Sequence, residues 1–278
     1  MEPLGIAVVQ MRSQINKLKC NLTKIEHFSR AAKEQKIDLV CFPELSITGY
    51  SRERAAEMAE SIPGTGSTFV SNLAQELNIT ILAGLVEKNG LEKPFNCHFI
   101  AFPDGKFQVY RKSHLGLSER TCFSPGQELP VFKNGNTKFG IEICWEMHFP
   151  EITTVLALNG CEIVFAPHAS PIAGNNRKNT WLKYLTARAY DNSIYVAACN
   201  LVGYDGEKQE FGGGALIIDP KGNIVSEYFG GEEKMVTAFL ELGLINEIRT
   251  KRNVSMKNSF YLSARRPELY GDLIKGVK

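Results

Sequence analysis

The sequence lacks several patterns that would assign it to common classes of protein. It contains no CxxC, HExxH or HxH, and its five histidines lie far apart, so we expect neither a metal site nor a cofactor. Its longest apolar runs, such as Leu39–Pro43 and Ile163–Pro167, are far shorter than the about 20 residues that cross a membrane. The net charge of +2 is too small to indicate a nucleic acid or an anionic membrane as partner. We therefore expect no partner of either kind.

The N-terminus and the cysteines both favour a cytoplasmic protein. The chain begins MEPLGIAVVQM, with an acidic residue at position 2 and no basic region before a long apolar stretch, which is unlike a signal peptide. The seven cysteines are odd in number and irregular in spacing, which favours free thiols in a reducing compartment over a disulfide framework.

The composition is typical of one globular domain. Hydrophobic residues make up 44% of the 278 residues and charged residues 22%, and a chain of this length can bury a sizeable core. No Ser/Gly-rich linker divides the sequence, so we predict a single domain over residues 1–278.

Hydrophobic periodicity and turn signals predict alternating strands and helices in the first half of the chain. The predicted helices are Lys17–Gln35 and Ser67–Leu77, and the predicted strands are Gly5–Gln10, Ile37–Phe42, Ile79–Val86, Cys97–Phe102 and Lys106–Arg111. The first helix carries apolar residues three to four positions apart, the spacing of an amphipathic helix.

The second half repeats this order with little residue identity. Its predicted elements are the strand Lys138–Cys144, the helix Pro150–Leu158, the strand Cys161–Ala166, the helix Arg177–Asn192, and the strands Ser193–Cys199, Gly214–Asp219 and Asn223–Tyr228. This repetition predicts an α/β fold in which two similar sheets pack face to face with helices outside, a four-layer α-β-β-α sandwich with pseudo-two-fold internal symmetry. A short helix near Leu244–Arg252 opens an extension, about residues 244–278, whose aromatic residues we expect to pack on the domain or on a partner subunit.

Three reactive side chains follow apolar strands, which is where open α/β sheets place their sites. Glu44 follows IDLVCFP, Lys112 follows KFQVYR, and Cys144 closes FGIEIC. A cysteine can attack a carbonyl carbon, a carboxylate can take the thiol proton, and an ammonium can stabilise charge on the oxygen. The set indicates nucleophilic catalysis, although a carboxylate such as Glu44 can also serve as a helix cap or surface charge.

Cys144 differs from the other six cysteines in its position between a strand and a helix. Free cysteine is among the most buried residue types, and Cys41, Cys161 and Cys199 fit a core role in apolar strands. Free backbone N–H groups at the start of a helix can lower the pKa of a thiol. We therefore expect Cys144 to be the reactive thiol, with a lowered pKa.

Three segments of the chain resemble the signature blocks of the nitrilase superfamily, also called carbon–nitrogen hydrolases. They are CFPELSITGY (41–50), YRKSHLGLSE (110–119) and GIEICWEMHFPE (140–151), and FGGGALIIDPKGNIVSE (211–227) and RRPELY (265–270) agree as well. The resemblance covers nearly the whole chain. It implies an α-β-β-α sandwich that forms a homodimer or a higher homo-oligomer.

The resemblance also implies a role for each reactive group. Glu44 would be the general base, Lys112 the oxyanion stabiliser and Cys144 the nucleophile. Glu119 matches a second glutamate that orients the substrate or the lysine, and the backbone N–H of Trp145 would complete the oxyanion hole. The implied reaction hydrolyses a non-peptide C–N bond of a small amide or N-carbamoyl compound through a cysteine thioester and releases ammonia or an amine.

Four further residues are candidates for substrate binding. Glu146 and His148 follow Cys144 where N-carbamoyl-D-amino-acid hydrolases place arginines that pair with a substrate carboxylate, so that carboxylate clamp is missing here. Glu146 suits a neutral or amine-bearing substrate, unless it points away from the site. His168 and Ser170 follow the strand CEIVFAP and are expected at the rim of the pocket, with residues 171–176 as a specificity loop. A structural role is the alternative for His168.

Other functions remain open on the sequence alone. CFPELSITGY favours the amidase and carbamoylase branches, whereas CWE also occurs in nitrilases, which convert a nitrile to an acid. Acyl transfer from the same thioester to an amine is a third reaction. A catalytically silent binding or scaffold protein would keep the fold with an inert thiol, and a redox sensor would use Cys144 and Cys122.

Overall fold

Strands and helices alternate along the chain in the computed structural model, which describes residues 3–250 and 260–275. The strands are β1 (Leu4–Gln10), β2 (Leu39–Cys41), β3 (Thr80–Asn89), β4 (Glu92–Ala101), β5 (Phe107–Arg111), β6 (Phe132–Asn134), β7 (Thr137–Ile141), β8 (Ile163–His168), β9 (Tyr195–Asn200), β10 (Val202–Tyr204), β11 (Glu210–Gly212), β12 (Ala215–Ile218), β13 (Ile224–Tyr228) and β14 (Lys234–Leu240). The helices are α1 (Leu18–Glu34), α2 (Ala55–Met58), α3 (Thr65–Leu77), α4 (Pro150–Leu158), α5 (Gly174–Asn192) and α6 (Gly243–Thr250), with 3-10 helices at Cys144–His148, Tyr261–Ala264, Pro267–Leu269 and Gly271–Ile274.

Local sequence accounts for the main elements. In α1 the buried Leu22, Ile25 and Ala32 share one face, as the apolar spacing predicts. Helix α3 ends at Leu77, and the following Asn78 takes the left-handed conformation that asparagine tolerates after a helix C-terminus. Helix α4 begins at Pro150, whose missing N–H costs nothing in the first turn.

The strands form two six-stranded mixed sheets and a small hairpin of β10 and β11. The first sheet has the order β14-β1-β2-β3-β4-β5, and the second has the order β13-β12-β9-β8-β7-β6. In the first sheet β1, β2 and β3 are parallel and β4 and β5 antiparallel; β7, β8, β9, β12 and β13 repeat this pattern in the second. Helices α1 and α3 connect the parallel strands of the first sheet, as α4 and α5 do in the second. The predicted pseudo-two-fold symmetry is confirmed.

Three clusters of buried apolar side chains separate the layers. One lies between the sheets and includes Val8 and Leu82 from the first and Phe139 and Phe165 from the second. A second cluster fills the space between the first sheet and the helices α1 and α3, and a third lies between the second sheet and α4 and α5. The predicted four-layer α-β-β-α sandwich is confirmed. No helix within residues 3–250 and 260–275 combines the length and the apolar character needed to cross a bilayer.

The observed elements differ from the predicted ones mainly at their ends and at the sheet edges. Strand β2 ends at Cys41 and β7 at Ile141, so Glu44 and Cys144 each lie three residues beyond a strand rather than directly at its end. The periodicity analysis did not predict β6, β10, β11 or β14. Strand β14 is a half-exposed edge strand that pairs antiparallel with all seven residues of β1.

The last described segment, residues 260–275, packs on the helix α5 of the same chain. The Tyr261 and Tyr190 hydroxyls lie 3.0 Å apart, and Leu262 packs against the apolar cluster beneath α5. The helix predicted near Leu244–Arg252 is α6, and positions 251–259 lie outside the described residues. A contact of the extension with a partner subunit and the single-domain assignment stay predictions.

Candidate active site

The candidate site forms where loops from both sheets meet. Glu44 lies in the loop after β2 and Lys112 directly follows β5, both in the first sheet, whereas Cys144 lies in the turn after β7 in the second. Lys112 is fixed by its backbone, since its N–H donates to Asn96 O on β4 at 2.9 Å and its carbonyl accepts from Gly126 N at 2.8 Å.

Lys112 forms a buried ion-pair cluster with two carboxylates. Its Nζ lies 2.7 Å from Glu44 Oε1 and 2.9 Å from Glu119 Oε1, and the three side chains are at most 5% exposed. Asn96 Nδ2 donates to Glu44 Oε1 at 2.8 Å and lies 3.5 Å from Glu119 Oε1. The Tyr50 hydroxyl donates to Glu119 Oε1 at 3.1 Å. The structure thus brings together Glu44, Lys112 and Glu119, as the sequence predicts.

The charges of this cluster follow from burial and from one another. Burial opposes the charged form of Lys112, but Glu44 and Glu119 together outweigh it and hold the pKa of the ammonium well above its ordinary value. Burial also raises the pKa of Glu44; Glu119 adds to this effect and Lys112 opposes it. A charged ammonium and a carboxylate of raised basicity therefore stand side by side.

Cys144 is partly buried and begins the 3-10 helix Cys144–His148 with a φ of +50°, a left-handed conformation that non-glycine residues rarely adopt. Burial and the negative Glu44 raise the pKa of its thiol to about 12, whereas Lys112 and the Ala169 N–H act in the opposite direction. The prediction of a lowered pKa is wrong, because burial beside two carboxylates outweighs the N–H groups of a five-residue 3-10 helix. The thiol is therefore neutral near pH 7.

Glu44 keeps one oxygen free of protein hydrogen bonds. Its Oε1 accepts from Lys112 and Asn96, while its buried Oε2 has no hydrogen-bond partner among the described residues. Gly84 on β3 sets the position of this loop, since a Cβ there would lie 2.2 Å from Leu45 N. The backbone also links the two segments, because Ile47 N donates to Gly84 O at 2.8 Å.

The two residues that follow Cys144 differ in their surroundings. The Trp145 ring is 40% exposed and lies against His148, and a role of its backbone N–H in the oxyanion hole stays a prediction. Glu146 is fully buried and accepts five hydrogen bonds. Their donors are Tyr110 OH, Ser113 N, Ser113 Oγ, His114 N and Ile143 N. The carboxylate of Glu146 therefore ties the loop after Lys112 to the turn before Cys144 and does not face a substrate, which corrects the sequence-based expectation.

The predicted histidines differ in their surroundings. His148 is exposed, with its ring 4.6 Å from that of Tyr184. His168 is buried and occupies the position in the second sheet that Glu44 occupies in the first. Burial lowers the pKa of His168 to about 3, and Arg177 adds to the effect. Its Nδ1 lies 2.8 Å from Ala166 O and must be the protonated nitrogen, which leaves Nε2 as an acceptor without a partner among the described residues.

Ser170 is held at the edge of the site by its neighbours. Its N–H donates to Asn200 Oδ1 at 2.8 Å, its carbonyl accepts from Asn200 Nδ2 at 2.9 Å, and its hydroxyl accepts a hydrogen bond from Arg177. The predicted specificity loop 171–176 is shorter than expected, because α5 already begins at Gly174.

Sequence reasoning missed several residues of the site. Asn96 is a polar residue inside the apolar strand β4, and Tyr50 closes the first signature block; both signals were available in the sequence. Arg177 and Tyr184 on α5 gave no such signal, since an arginine near a helix start usually faces solvent. No group of three or more His, Cys, Asp or Glu side chains in the described ranges has the arrangement of a metal site.

Comparisons with known proteins agree with this geometry. A family model described as carbon-nitrogen hydrolase matches residues 5–250. A nitrilase of Pyrococcus abyssi is 33% identical over 279 residues, covering 95% of this chain and 98% of the relative. A 2-oxoglutaramate amidase of Bacillus subtilis is 32% identical, covering 88% and 93%. Among solved structures, an amidase from Nesterenkonia sp. superposes with a TM-score of 0.83 at 26% identity, covering 98% of this chain and 97% of its own.

A thiol beside a buried carboxylate–ammonium–carboxylate cluster, on an α-β-β-α sandwich, has the components of a cysteine-dependent hydrolase. The chain belongs to the carbon–nitrogen hydrolase family. It is an enzyme that hydrolyses a non-peptide C–N bond of an amide through a covalent cysteine intermediate. The predictions of superfamily, fold class and reaction class are confirmed.

Proposed function

We propose that Cys144 attacks the carbonyl carbon of a small amide, with Glu44 as general base and Lys112 as the donor to the oxyanion. The observation that carries the proposal is the buried Lys112 ammonium held between Glu44 and Glu119 beside the thiol. A buried ammonium with two carboxylates in contact is costly to assemble, and such arrangements of perturbed groups concentrate at functional sites.

The first half of the reaction acylates the enzyme. Glu44 Oε2 takes the thiol proton as the sulfur of Cys144 bonds to the amide carbon, and the carbonyl electrons move to the oxygen. Lys112 Nζ and the backbone N–H of Trp145 donate to this oxyanion, and one such donor is worth about 3–4 kcal/mol in the transition state. The C–N bond then breaks as Glu44 gives its proton to the nitrogen, so ammonia or an amine leaves and a thioester remains.

The second half releases the acid. Glu44 takes a proton from a water molecule, whose oxygen attacks the thioester carbon and forms a second oxyanion. The C–S bond breaks when this intermediate collapses, the carboxylic acid leaves, and the Cys144 sulfur regains a proton from Glu44. Glu119 keeps Lys112 in place through both halves, because its Oε1 accepts from Nζ and its Oε2 accepts from Gly116 N at 2.8 Å.

Nitrile hydrolysis is the second candidate, and N-carbamoyl hydrolysis is a variant of the first. The nitrile reading is favoured by the 33% identity to a chain named nitrilase, and the amide reading by the 32% identity to a chain named 2-oxoglutaramate amidase. The raised basicity of Glu44 supports amides and ureido compounds, whose departing nitrogen must accept a proton.

Ammonia release from matched panels of aliphatic amides, ureido acids and nitriles tests these alternatives. We expect amides to be hydrolysed by the wild type, no detectable turnover by Cys144→Ala, and full turnover by the matched control Cys122→Ala, whose partly buried thiol lies in a loop. Equal activity in Cys144→Ala and wild type would reject the proposal. Nitrile turnover alone would favour the second candidate, and preferential alkylation of Cys144 without turnover would point to a silent binding protein.

We also propose a homodimer or higher homo-oligomer in the cytoplasm. Three apolar residues on and beside α4 are 38–51% exposed, namely Trp145, Val155 and Leu158. Exposed apolar residues of this kind support association between subunits. All seven cysteines are free thiols, which supports a reducing compartment. Sedimentation velocity measures the oligomeric state, and a monomer would contradict the proposed oligomer. Cell fractionation measures the location, and an exported protein would contradict the proposed cytoplasmic location.

A further inference from the structure

Glu142 is a buried carboxyl group that lies two residues before the proposed nucleophile. It directly follows β7 and is fully buried. Its neighbours Ile141 and Ile143 belong to the apolar cluster between the sheets, so the alternation of side chains along a strand turns Glu142 to the opposite face, towards α4 and α5. Gly140 lies on that same face, since a Cβ there would be 2.8 Å from the Leu156 side chain of α4.

Four buried polar atoms at and around this carboxyl group have no hydrogen-bond partner among the described residues. They are both carboxyl oxygens of Glu142, Oγ1 of Thr153 on α4 and Nε of Arg188 on α5. Burying polar atoms without partners destabilises a fold, and an apolar side chain of similar size would avoid this cost. Unfavourable arrangements of this kind concentrate at functional sites, which indicates a function for the acid.

Arg188 connects this group of polar atoms to the turn that carries Cys144. Its Nη2 donates to Met147 O at 3.1 Å, and Met147 lies in the 3-10 helix that begins at Cys144. Cys144 has a φ of +50°, a conformation that persists only where the surrounding structure holds it. Of the three carboxylates that act on the charge of Arg188, Glu142 has the largest effect. A change of charge on Glu142 therefore acts on the residue that anchors this helix.

We propose that Glu142 and Arg188 are positioning residues, which hold the nucleophile in place while Glu142 is uncharged and release it when Glu142 ionises. This inference rests on the proposed role of Cys144. While the acid is neutral, Arg188 donates to Met147 O and fixes the 3-10 helix. Once the acid has lost its proton to solvent, the guanidinium turns towards it, because a buried anion requires charge-assisted hydrogen bonds. Met147 O then loses its donor, and the sulfur is no longer held beside the proposed base.

Polar and charged groups face Glu142 from each element packed against it. They are Thr153 of α4, Arg188 of α5, Glu146 of the 3-10 helix and Cys161 just before β8. Burial raises the pKa of Glu142 to about 8; Glu146 adds to this effect, whereas Thr153 and Arg188 oppose it. The acid is therefore mostly neutral at pH 7 and mostly charged at pH 9.

The direction and the pH range of the effect distinguish Glu142 from the proposed catalytic groups. The pKa of the Cys144 thiol is about 12, and that of the Lys112 ammonium lies well above its ordinary value, so neither group loses its proton between pH 7 and 9. Glu44 acts as a base only when it is ionised, so its titration increases turnover as pH rises. A fall in turnover through pH 8 is therefore the effect expected of Glu142.

The pH dependence of kcat for butyramide, a small aliphatic amide, tests the inference. In the wild type we expect kcat to fall by about 10-fold between pH 7 and pH 9, because about one tenth of Glu142 stays protonated one pH unit above its pKa. Glu142→Gln stays neutral and should have the same kcat at both pH values. Glu151→Gln is the matched control, since it removes an exposed carboxylate that also acts on Arg188 and should keep the alkaline fall. Circular dichroism at pH 9 checks that each protein stays folded.

Arg188→Met separates positioning from a purely structural role. It removes the donor to Met147 O, so we expect kcat at pH 7 to fall by about 10-fold with little change in KM. The fall between pH 7 and 9 should also disappear in this variant, because Glu142 no longer has a guanidinium to attract. A kcat that is level over this range in the wild type, or an alkaline fall that persists in Glu142→Gln, would overturn the inference and leave amide hydrolysis intact.

The fluorescence of Trp145 provides a measurement that needs no turnover. Its ring lies in the 3-10 helix against His148, whose pKa is lowered from 6.5 by burial, so His148 does not titrate between pH 7 and 9. We expect a fluorescence transition near pH 8 in the wild type that is absent from Glu142→Gln and from Trp145→Phe. A transition that persists in Glu142→Gln, or a wild type without one, would overturn the inference. A lack of turnover on every amide tested, together with the expected transition, would instead count against the proposed function.

Discussion

Glu146 joins the segments that carry Lys112 and Cys144 through one buried carboxylate. Its Oε1 accepts from Ser113 N at 2.7 Å, directly after Lys112, and its Oε2 accepts from Ile143 N at 2.6 Å, directly before Cys144. The proposed ammonium and nucleophile come from different sheets, so this carboxylate holds them in register. We therefore expect Glu146 to act as a positioning residue.

Glu146→Gln should lower both stability and turnover. A glutamine amide can accept at only one end, so its NH2 would face either the Ile143 N–H or the donors around Ser113. We expect a loss of about 2–4 kcal/mol in the free energy of unfolding in urea. We also expect a fall in kcat that exceeds the change in KM. Glu151→Gln, at an exposed position in α4, is the control, and the same stability in both variants would contradict the assigned role.

Lys112→Met should reduce kcat by about 100-fold or more, because one oxyanion donor is lost. The substitution also leaves the buried Glu44 and Glu119 without their shared ammonium. Their mutual repulsion should raise the pKa of Glu44 further, and the base acts only when ionised. The acidic limb of the kcat/KM profile should therefore move to higher pH in the variant. A profile that superposes on the wild type after scaling would rule out this coupling; Lys93→Met, at the surface, controls for loss of a charge.

The sequence was informative about residues whose place depends on local pattern. Glu44, Lys112 and Cys144 stood out because each follows an apolar strand, and the strand ends of both sheets bring them to one region. The direction of the Cys144 pKa could not be predicted, since it depends on burial and on carboxylates from the other sheet. The same holds for Arg177, whose neutral surroundings exist only in the folded chain.

At the scale of elements, strand β3 fixes the position of the loop that carries Glu44, the proposed base. Phe42 N donates to Leu82 O at 2.8 Å and Ile47 N to Gly84 O at 2.8 Å, so the loop runs along the strand. Leu45 takes a φ of +50° directly after Glu44. Strand β3 needs a glycine at position 84, because a side chain there would collide with the backbone of this loop.

Gly84→Ala should displace the Glu44 loop. The added Cβ would lie 2.2 Å from Leu45 N, and backbone must move to admit it. We expect a loss of about 1–3 kcal/mol in stability together with a fall in kcat, since the Glu44 carboxylate shifts with the backbone. Gly231→Ala is the matched control, because a Cβ at Gly231 has no neighbour within 4 Å. Unchanged kcat in Gly84→Ala would contradict the proposed function of this contact.

Long, strongly periodic elements were predictable and short or edge elements were not. The spacing of Leu22, Ile25 and Ala32 defined α1 to within one residue at either end. Strand β14 alternates between buried and exposed positions and is stabilised by pairing with β1, at the opposite end of the chain. Strands β6, β10 and β11 have three residues each, too few to show a period.

At the scale of the whole molecule, a buried carboxyl group makes global stability depend on pH. Glu142 follows β7, is fully buried beneath α4 and α5, and has no hydrogen-bond partner for either oxygen among the described residues. Burial raises its pKa to about 8, and Glu146 adds to the effect while Thr153 and Arg188 oppose it. The group is therefore mostly protonated at neutral pH in the folded protein.

Stability should fall as pH rises because of this group. The pKa of Glu142 is about 8 in the folded state against an ordinary value of 4.5, so the protonated carboxyl favours folding below pH 4.5 and the contribution is lost as pH rises through 8. Glu142→Gln removes the titration and should gain stability relative to wild type between these values, up to about 5 kcal/mol. Urea unfolding at pH 5, 7 and 9 measures the difference. Parallel stability curves, as expected for the exposed control Glu92→Gln, would contradict the prediction.

The overall architecture was predictable because the repeat is visible in the order of elements. Both halves have the strand–helix–strand–helix–strand succession followed by two antiparallel strands, and each succession leaves one face of a sheet apolar. Two such faces bury each other, which yields the sandwich.

The seam between the sheets has a consequence for catalysis. The proposed nucleophile follows a strand of one sheet, whereas the proposed base and the ammonium belong to the other. The rate of turnover should therefore depend on how the two sheets are aligned. A slide too small to unfold the protein would already separate sulfur from carboxylate. We therefore expect substitutions of buried side chains between the sheets, such as Phe139 and Leu82, to change turnover as well as stability.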